Sequence, residues 1–132
     1  LKKPFFIMNA DLIYRINYRR IIDFFWEKKT DFVIVCHYHN YILPYGEIKK
    51  VKTKLISISE KPKKEYLVAS GIYLASPKIQ KIVKFNKYLD MPNLINNLQK
   101  KGFSINILIH NNYLQDISDV KKLDEVNLDF EL

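Results

Sequence analysis

A single cysteine and the absence of any long apolar run are the first informative features of this 132-residue chain. With Cys36 alone, neither an intramolecular disulfide nor a thiolate metal cluster can form, which fits a reducing compartment. The longest apolar stretches, such as Phe32 to Cys36, are strand length and far short of the roughly 18 residues of a membrane span. No signal sequence, internal repeat or linker is expected. The expectation is a soluble, cytoplasmic protein with no membrane partner, and the length suffices for one domain core and not for two. What is present excludes disorder and coiled coil: 48% of residues are hydrophobic and 14% aromatic. The charge is one-sided, with 22 Lys and Arg against 14 Asp and Glu and a net +8. Anionic partners are favoured. The basic residues are scattered, however, and their densest clusters, Lys49 to Lys54 and Lys61 to Lys64, read more readily as solvated faces than as a binding groove.

Hydrophobic patterning predicts strands alternating with helices. Phe5 to Met8 and Phe32 to Cys36 are continuous apolar runs, expected of central strands covered on both faces. Phe103, Ile105, Ile107 and Ile109 alternate with polar residues, and Leu55 to Ser59 puts Ile56 and Ile58 on one side, so both belong nearer an edge. Tyr66 to Ala75 is a third long strand, interrupted by Gly71, where missing bulk lets a ligand or another backbone come close. Asn17 is a candidate N-cap for a helix whose buried stripe is Tyr18, Ile21, Ile22 and Phe25. Ser76-Pro77 opens a short helix. Met91-Pro92 opens another, which carries Leu94, Ile95 and Leu98 inward and stops at Lys100-Lys101-Gly102. Asp119 is a candidate cap for a last helix through Val120, Leu123 and Phe130. The predicted fold class is α/β, with a mixed, mostly parallel sheet flanked by helices.

Several polar residues fall where such a fold binds ligands. Asp11 follows the first strand, and open α/β sheets take ligands at strand C-terminal ends. A carboxylate there suits Mg²⁺, which prefers one or two carboxylates plus water and phosphate oxygens. For a lone Asp, a turn or capping role is the favoured reading. Asp116 lies after the Ile-rich strand and before the last predicted helix, and the two carboxylates would form a metal site only if they converge. Glu60-Lys61-Pro62 ends a strand with an acid and a base, and Pro62 biases Lys61 to an extended backbone. The carboxylate can accept from sugar hydroxyls and the ammonium can meet a phosphate. From these residues alone, a surface ion pair or turn is the favoured reading. Pro44-Tyr45-Gly46 reads either as a loop whose backbone touches a ligand or as an ordinary turn. His37 and His39 share a strand face but lack a third ligand, so zinc is rejected, and Cys36 reads as a small buried apolar residue.

Taken in order, Pro4-Phe5-Phe6-Ile7-Met8-Asn9-Ala10-Asp11, Pro44-Tyr45-Gly46, Glu60-Lys61-Pro62, Ser70-Gly71-Ile72-Tyr73, Asp90-Met91-Pro92 and Asp116-Ile117 resemble the C-terminal half of the sugar-1-phosphate nucleotidyltransferase domain. The branch most similar is mannose-1-phosphate guanylyltransferase. The resemblance spans nearly the whole chain and implies a Rossmann-like domain of which residues 1–132 are the sugar- and metal-binding part. It implies joining of a nucleoside triphosphate, GTP favoured, to a sugar 1-phosphate, whose phosphate oxygen attacks the α-phosphorus and expels pyrophosphate. Asp11 and Asp116 would be catalytic as Mg²⁺ ligands. Glu60 would take sugar hydroxyls and Lys61 the sugar phosphate. Gly46, with Pro44 and Tyr45, and Gly71, with Ser70, would supply close contacts to the sugar. Three positions depart from the family pattern: Ala69-Ser70-Gly71 replaces Asn-Ala-Gly, Leu114 replaces a tryptophan, and Ser118 replaces a glycine. The family's Gly-x-Gly-Thr-Arg phosphate loop and following Lys-Pro segment do not occur, so the chain is expected to be inactive alone. Strand flanks left uncovered would favour a homodimer or aggregation. The departures also motivate an alternative, a noncatalytic regulatory or scaffolding domain of the same fold. A nucleic-acid binder ranks last, because the aromatics fall mostly on core faces and no RNA-binding signature occurs.

Overall fold

The computed structural model describes residues 1–10, 12–14, 16–84, 86–110 and 114–116, with 12–14 and 114–116 as backbone only. Two compact units are distinguished, one formed by Leu1–Cys36 and Ala69–Leu132 and the other by His37–Val68. The first is built on a four-stranded sheet of order β1-β6-β3-β7. Its strands are β1 (Phe5–Met8), β3 (Phe32–Ile42), β6 (Lys63–Ala75) and β7 (Ile105–Ile109), and both β3 and β6 begin or end in the second unit.

Alternation along β3 and β6 divides the first unit's core between the two sheet faces. On one face Val33, Val35, Ile72, Leu74 and Leu108 pack with Ile21 and Phe25 of helix α1 (Tyr18–Glu27). On the other, Phe32, Tyr73 and Ala75 pack with Ile79 of a 3-10 helix (Pro77–Lys81) and with Leu94 and Leu98 of helix α2 (Met91–Lys100). Successive side chains on a strand point to opposite faces, so a run of apolar residues is what a strand with a helix layer on each side requires. The helices start where their sequences predict. Asn17 accepts from the Arg20 N–H, Ser76 from the Lys78 N–H and Asp90 from the Asn93 N–H, each satisfying a backbone donor that the first turn leaves without a partner.

The sheet differs from expectation in direction and in order. Of the described pairings only β3 with β7 is parallel, and β1 with β6 is antiparallel. The Ser76 N–H bonds to the Asp31 carbonyl at 2.8 Å and the Leu43 N–H to the Pro62 carbonyl at 3.1 Å, so β3 and β6 also run antiparallel. The sheet is therefore mixed and mostly antiparallel, not mostly parallel. β1, expected at the centre, is an edge strand of this sheet, and Met8 at its end is exposed. β7 is at the opposite edge, as expected, but the buried side chain there is Leu108, whereas Ile107 is 49% exposed. The helix layer that includes α2 packs against Ile34 and Ile105, and Ile107 is not among the residues it covers.

Two further ribbons complete the described structure. In the second unit β4 (Glu47–Val51) pairs antiparallel with β5 (Lys54–Ser59), and Lys52 takes a left-handed φ of 52° in the connecting turn. Its apolar residues Ile48, Ile56 and Ile58 are all exposed. In the first unit β2 (Leu12–Tyr14) pairs antiparallel with β8 (Leu114–Asp116). Asp116 is thus the last residue of a strand, β8, and the helix expected after Asp119 lies outside the described residues.

Candidate functional site

In the first unit Ser70, Gly71 and His110 fall at one end of the four-stranded sheet. β1 and β7 both finish there. The Asn9 N–H, one residue past β1, donates to the Gly71 carbonyl at 3.0 Å, and the His110 N–H, one residue past β7, donates to the Cys36 carbonyl at 3.0 Å. Gly71 has φ of 70°, in the left-handed region where a Cβ would meet the following carbonyl oxygen. β6 nevertheless runs unbroken through Gly71, so in place of the expected interruption there is one left-handed residue within the strand, a backbone that glycine alone adopts without cost. Ser70, just before it, is 2% exposed, and its Oγ lies 3.3 Å from His110 Nε2.

The short ribbon β2–β8 bears on the predicted metal ligands. Its register sets Asp116 opposite Leu12, Gln115 opposite Ile13 and Leu114 opposite Tyr14. The backbone at Asp116 therefore faces the residue that directly follows Asp11 in sequence, and Asp11 itself lies outside the described residues. Two carboxylates, joined by water and phosphate oxygens, are the donor set of Mg²⁺, so these residue types fit that ion. Among the described residues no group of three or more His, Cys, Asp or Glu side chains forms a metal cluster.

In the second unit two sequence-predicted segments meet. Pro44, Tyr45 and Gly46 form the loop between β3 and β4, and Glu60, Lys61 and Pro62 form the turn between β5 and β6. Leu43 and Pro62 are joined by a backbone hydrogen bond. A Cβ placed on Gly46 would lie 3.4 Å from Glu60 Oε2 and 3.5 Å from Ile58 Cδ1. Gly46 thus allows the Glu60 carboxylate to approach the loop backbone, while Tyr45 is exposed beside it. Lys61 departs from expectation. Its φ is 42°, left-handed rather than extended, because the tight return from β5 to β6 overrides the bias that Pro62 imposes.

Two features of the site were not anticipated from sequence. Glu47, next to Gly46, forms a hydrogen-bonded ion pair with Lys64. That bond lowers the Glu47 carboxyl pKa and raises the Lys64 ammonium pKa, with the partner's charge acting in the same direction in each case. The signal was an acid directly after a loop glycine and a base two residues after Pro62. The other is His110. A polar residue ending an Ile-rich strand in an α/β sheet stands where such sheets present ligand-facing groups, and that position was the available clue. His37 and His39 gather no third ligand among the described residues, and Cys36 is buried, with burial pushing its thiol pKa up.

Comparison with known proteins gives a family and a fold. The profile of the nucleotidyl transferase family matches residues 1–126. Among solved structures, a putative glucose-1-phosphate thymidylyltransferase from Bacillus anthracis, in complex with a sucrose, superposes with a TM-score of 0.65 at 20% identity, covering 96% of this chain and 54% of that one. HddC from Yersinia pseudotuberculosis, complexed with GMP-PN, gives a TM-score of 0.64 at 19% identity, covering 98% of this chain and 56% of that one. The chain thus spans about half the length of these solved chains, and at such identities the likeness establishes the fold alone. No curated protein matches the chain.

Proposed function

We propose, from the premise that the chain belongs to the nucleotidyl transferase family, that it acts in joining a sugar 1-phosphate to a nucleoside triphosphate with release of pyrophosphate. In this reading residues 1–132 are the sugar- and metal-binding part, and the nucleotide-binding part is supplied by chain outside them. The observation that carries the reading is the β2–β8 register, which aligns Asp116 with the residue after Asp11. Asp11 and Asp116 would hold Mg²⁺, whose charge would neutralise the phosphate oxygens when bound. The remaining work falls to this chain's own groups. Glu60, set against Gly46, accepts hydrogen bonds from sugar hydroxyls, and Lys61 offers its ammonium to the sugar phosphate. The Gly46 backbone in the second unit and the Gly71 backbone in the first each leave room for a ligand to approach closely. A guanine nucleotide is favoured because HddC, one of the structural relatives, is complexed with GMP-PN.

The test uses the full-length protein. Pyrophosphate release is measured with each nucleoside triphosphate and a panel of sugar 1-phosphates, with and without Mg²⁺. Metal-dependent turnover is expected, falling roughly 100-fold or more in Asp116→Asn, as for loss of a group that stabilises transition-state charge. Absence of turnover together with binding of neither ligand would favour the noncatalytic scaffold that Ala69, Leu114 and Ser118 suggest.

A further inference from the structure

We infer that the buried Ser70–His110 pair is a positioning device that sets the geometry of the carboxylate-bearing ribbon. The inference rests on the reading above for what that ribbon does, but not for how it is held. Ser70 is on β6 and His110 follows β7, with β3 between those strands in the sheet. His110 holds both neighbours: its N–H donates to the Cys36 carbonyl on β3 at 3.0 Å, and its Nε2 lies 3.3 Å from Ser70 Oγ on β6. Both side chains are buried, at 5% and 2% exposure, so this contact is shielded from competing water.

The placement of the pair gives it leverage. The residue after Ser70 is Gly71, whose carbonyl holds the Asn9 N–H where the chain leaves β1 toward Asp11. Four residues after His110 the chain enters β8, which carries Asp116 and pairs with β2. The two connections that lead to the proposed metal carboxylates thus leave the sheet from points that Ser70 and His110 fix to each other. A shift of about 1 Å at such anchors is enough to misplace ligands and costs orders of magnitude in rate. Ser70, which the family resemblance would set against the sugar, is buried with its Oγ against His110, so in this inference both act through the ribbon as positioning residues.

The experiment compares His110→Ala, His110→Gln, Ser70→Ala and the double Ala variant in the full-length protein by two readouts. The first is hydrogen exchange. His110→Ala and Ser70→Ala are expected to speed exchange at the β2–β8 amides about tenfold while α2 amides are unchanged. Equal loosening of α2, or wild-type exchange in β2–β8, would overturn the inference. The second is the Mg²⁺ concentration giving half-maximal pyrophosphate release. It should rise about tenfold in each Ala variant, no further in the double variant, and return toward wild type in His110→Gln. Variants that melt earlier with an unmoved Mg²⁺ requirement would show a merely structural role and refute the proposal. If the wild type has no turnover at all, the reaction assigned above fails, and hydrogen exchange still decides the role of the pair. Ser70→Ala, nearly isosteric, keeps the test decisive if His110→Ala does not fold.

Discussion

At the scale of single residues, backbone geometry and burial yield two expectations. Gly71 occupies left-handed φ at 70°. An L side chain there costs roughly 1–2 kcal/mol. Gly71→Ala should therefore lower unfolding free energy by about that amount in urea titrations, and a neutral result would contradict the need for glycine. His37 is the second case. Burial, and then the charge of neighbouring His39, holds the His37 pKa below its ordinary value near 6.5. The unfolded chain thus takes up this proton at a higher pH than the folded chain does. Its contribution to stability is complete above the unfolded pKa and is lost as pH falls through the folded one. The urea midpoint should drop as the pH is lowered through the ordinary histidine value near 6.5 and beyond it, and less steeply in His37→Gln.

At the scale of elements, stability should follow which helix layer covers which strand. Leu98 of α2 is fully buried between sheet and helix, whereas Ile107 of β7 is 49% exposed. Leu98→Ala should cost about 2–5 kcal/mol, and Ile107→Ala well under that. Similar losses from the two in thermal or urea unfolding would mean that the helix layer extends along β7 as far as Ile107. The same elements show what sequence can and cannot convey. Asn17, Ser76 and Asp90 mark helix starts because capping is a local contact between a side chain and the next turn, and the alternation in β3 and β6 survives because period two needs no knowledge of the partner. Strand order and direction depend on partners far away in sequence, so Phe5 to Met8 reads the same at a sheet edge as at its centre. Glu47 to Val51 escaped notice because a lysine-rich strand in an exposed ribbon has the composition of a solvated charge run. The left-handed Lys61 was invisible for a related reason: closure of the β5–β6 connection, not the neighbouring proline, sets its backbone.

At the scale of the whole molecule, the candidate residues divide between the two units. Gly46, Glu60 and Lys61 belong to the second, and Ser70, Gly71, His110 and Asp116 to the first. The sequence conveyed the segments in both, because each is a short run of special residues bounded by strands. It could not convey that Glu60 would lie against Gly46, or that His110 would bridge to Ser70 across 40 positions of chain. Among the described residues no helix is long and apolar enough to cross a membrane. The net charge of +8 suits two anionic substrates without selecting them.

The central claim is that Asp11 and Asp116 share one divalent cation, and Mn²⁺ titration of the full-length protein, followed by electron paramagnetic resonance with a sugar 1-phosphate present, tests it most directly. One bound Mn²⁺ per chain is predicted, with affinity falling at least about tenfold in Asp11→Asn and in Asp116→Asn, and little further in the double variant. Retention of wild-type Mn²⁺ affinity by either single variant would contradict the claim.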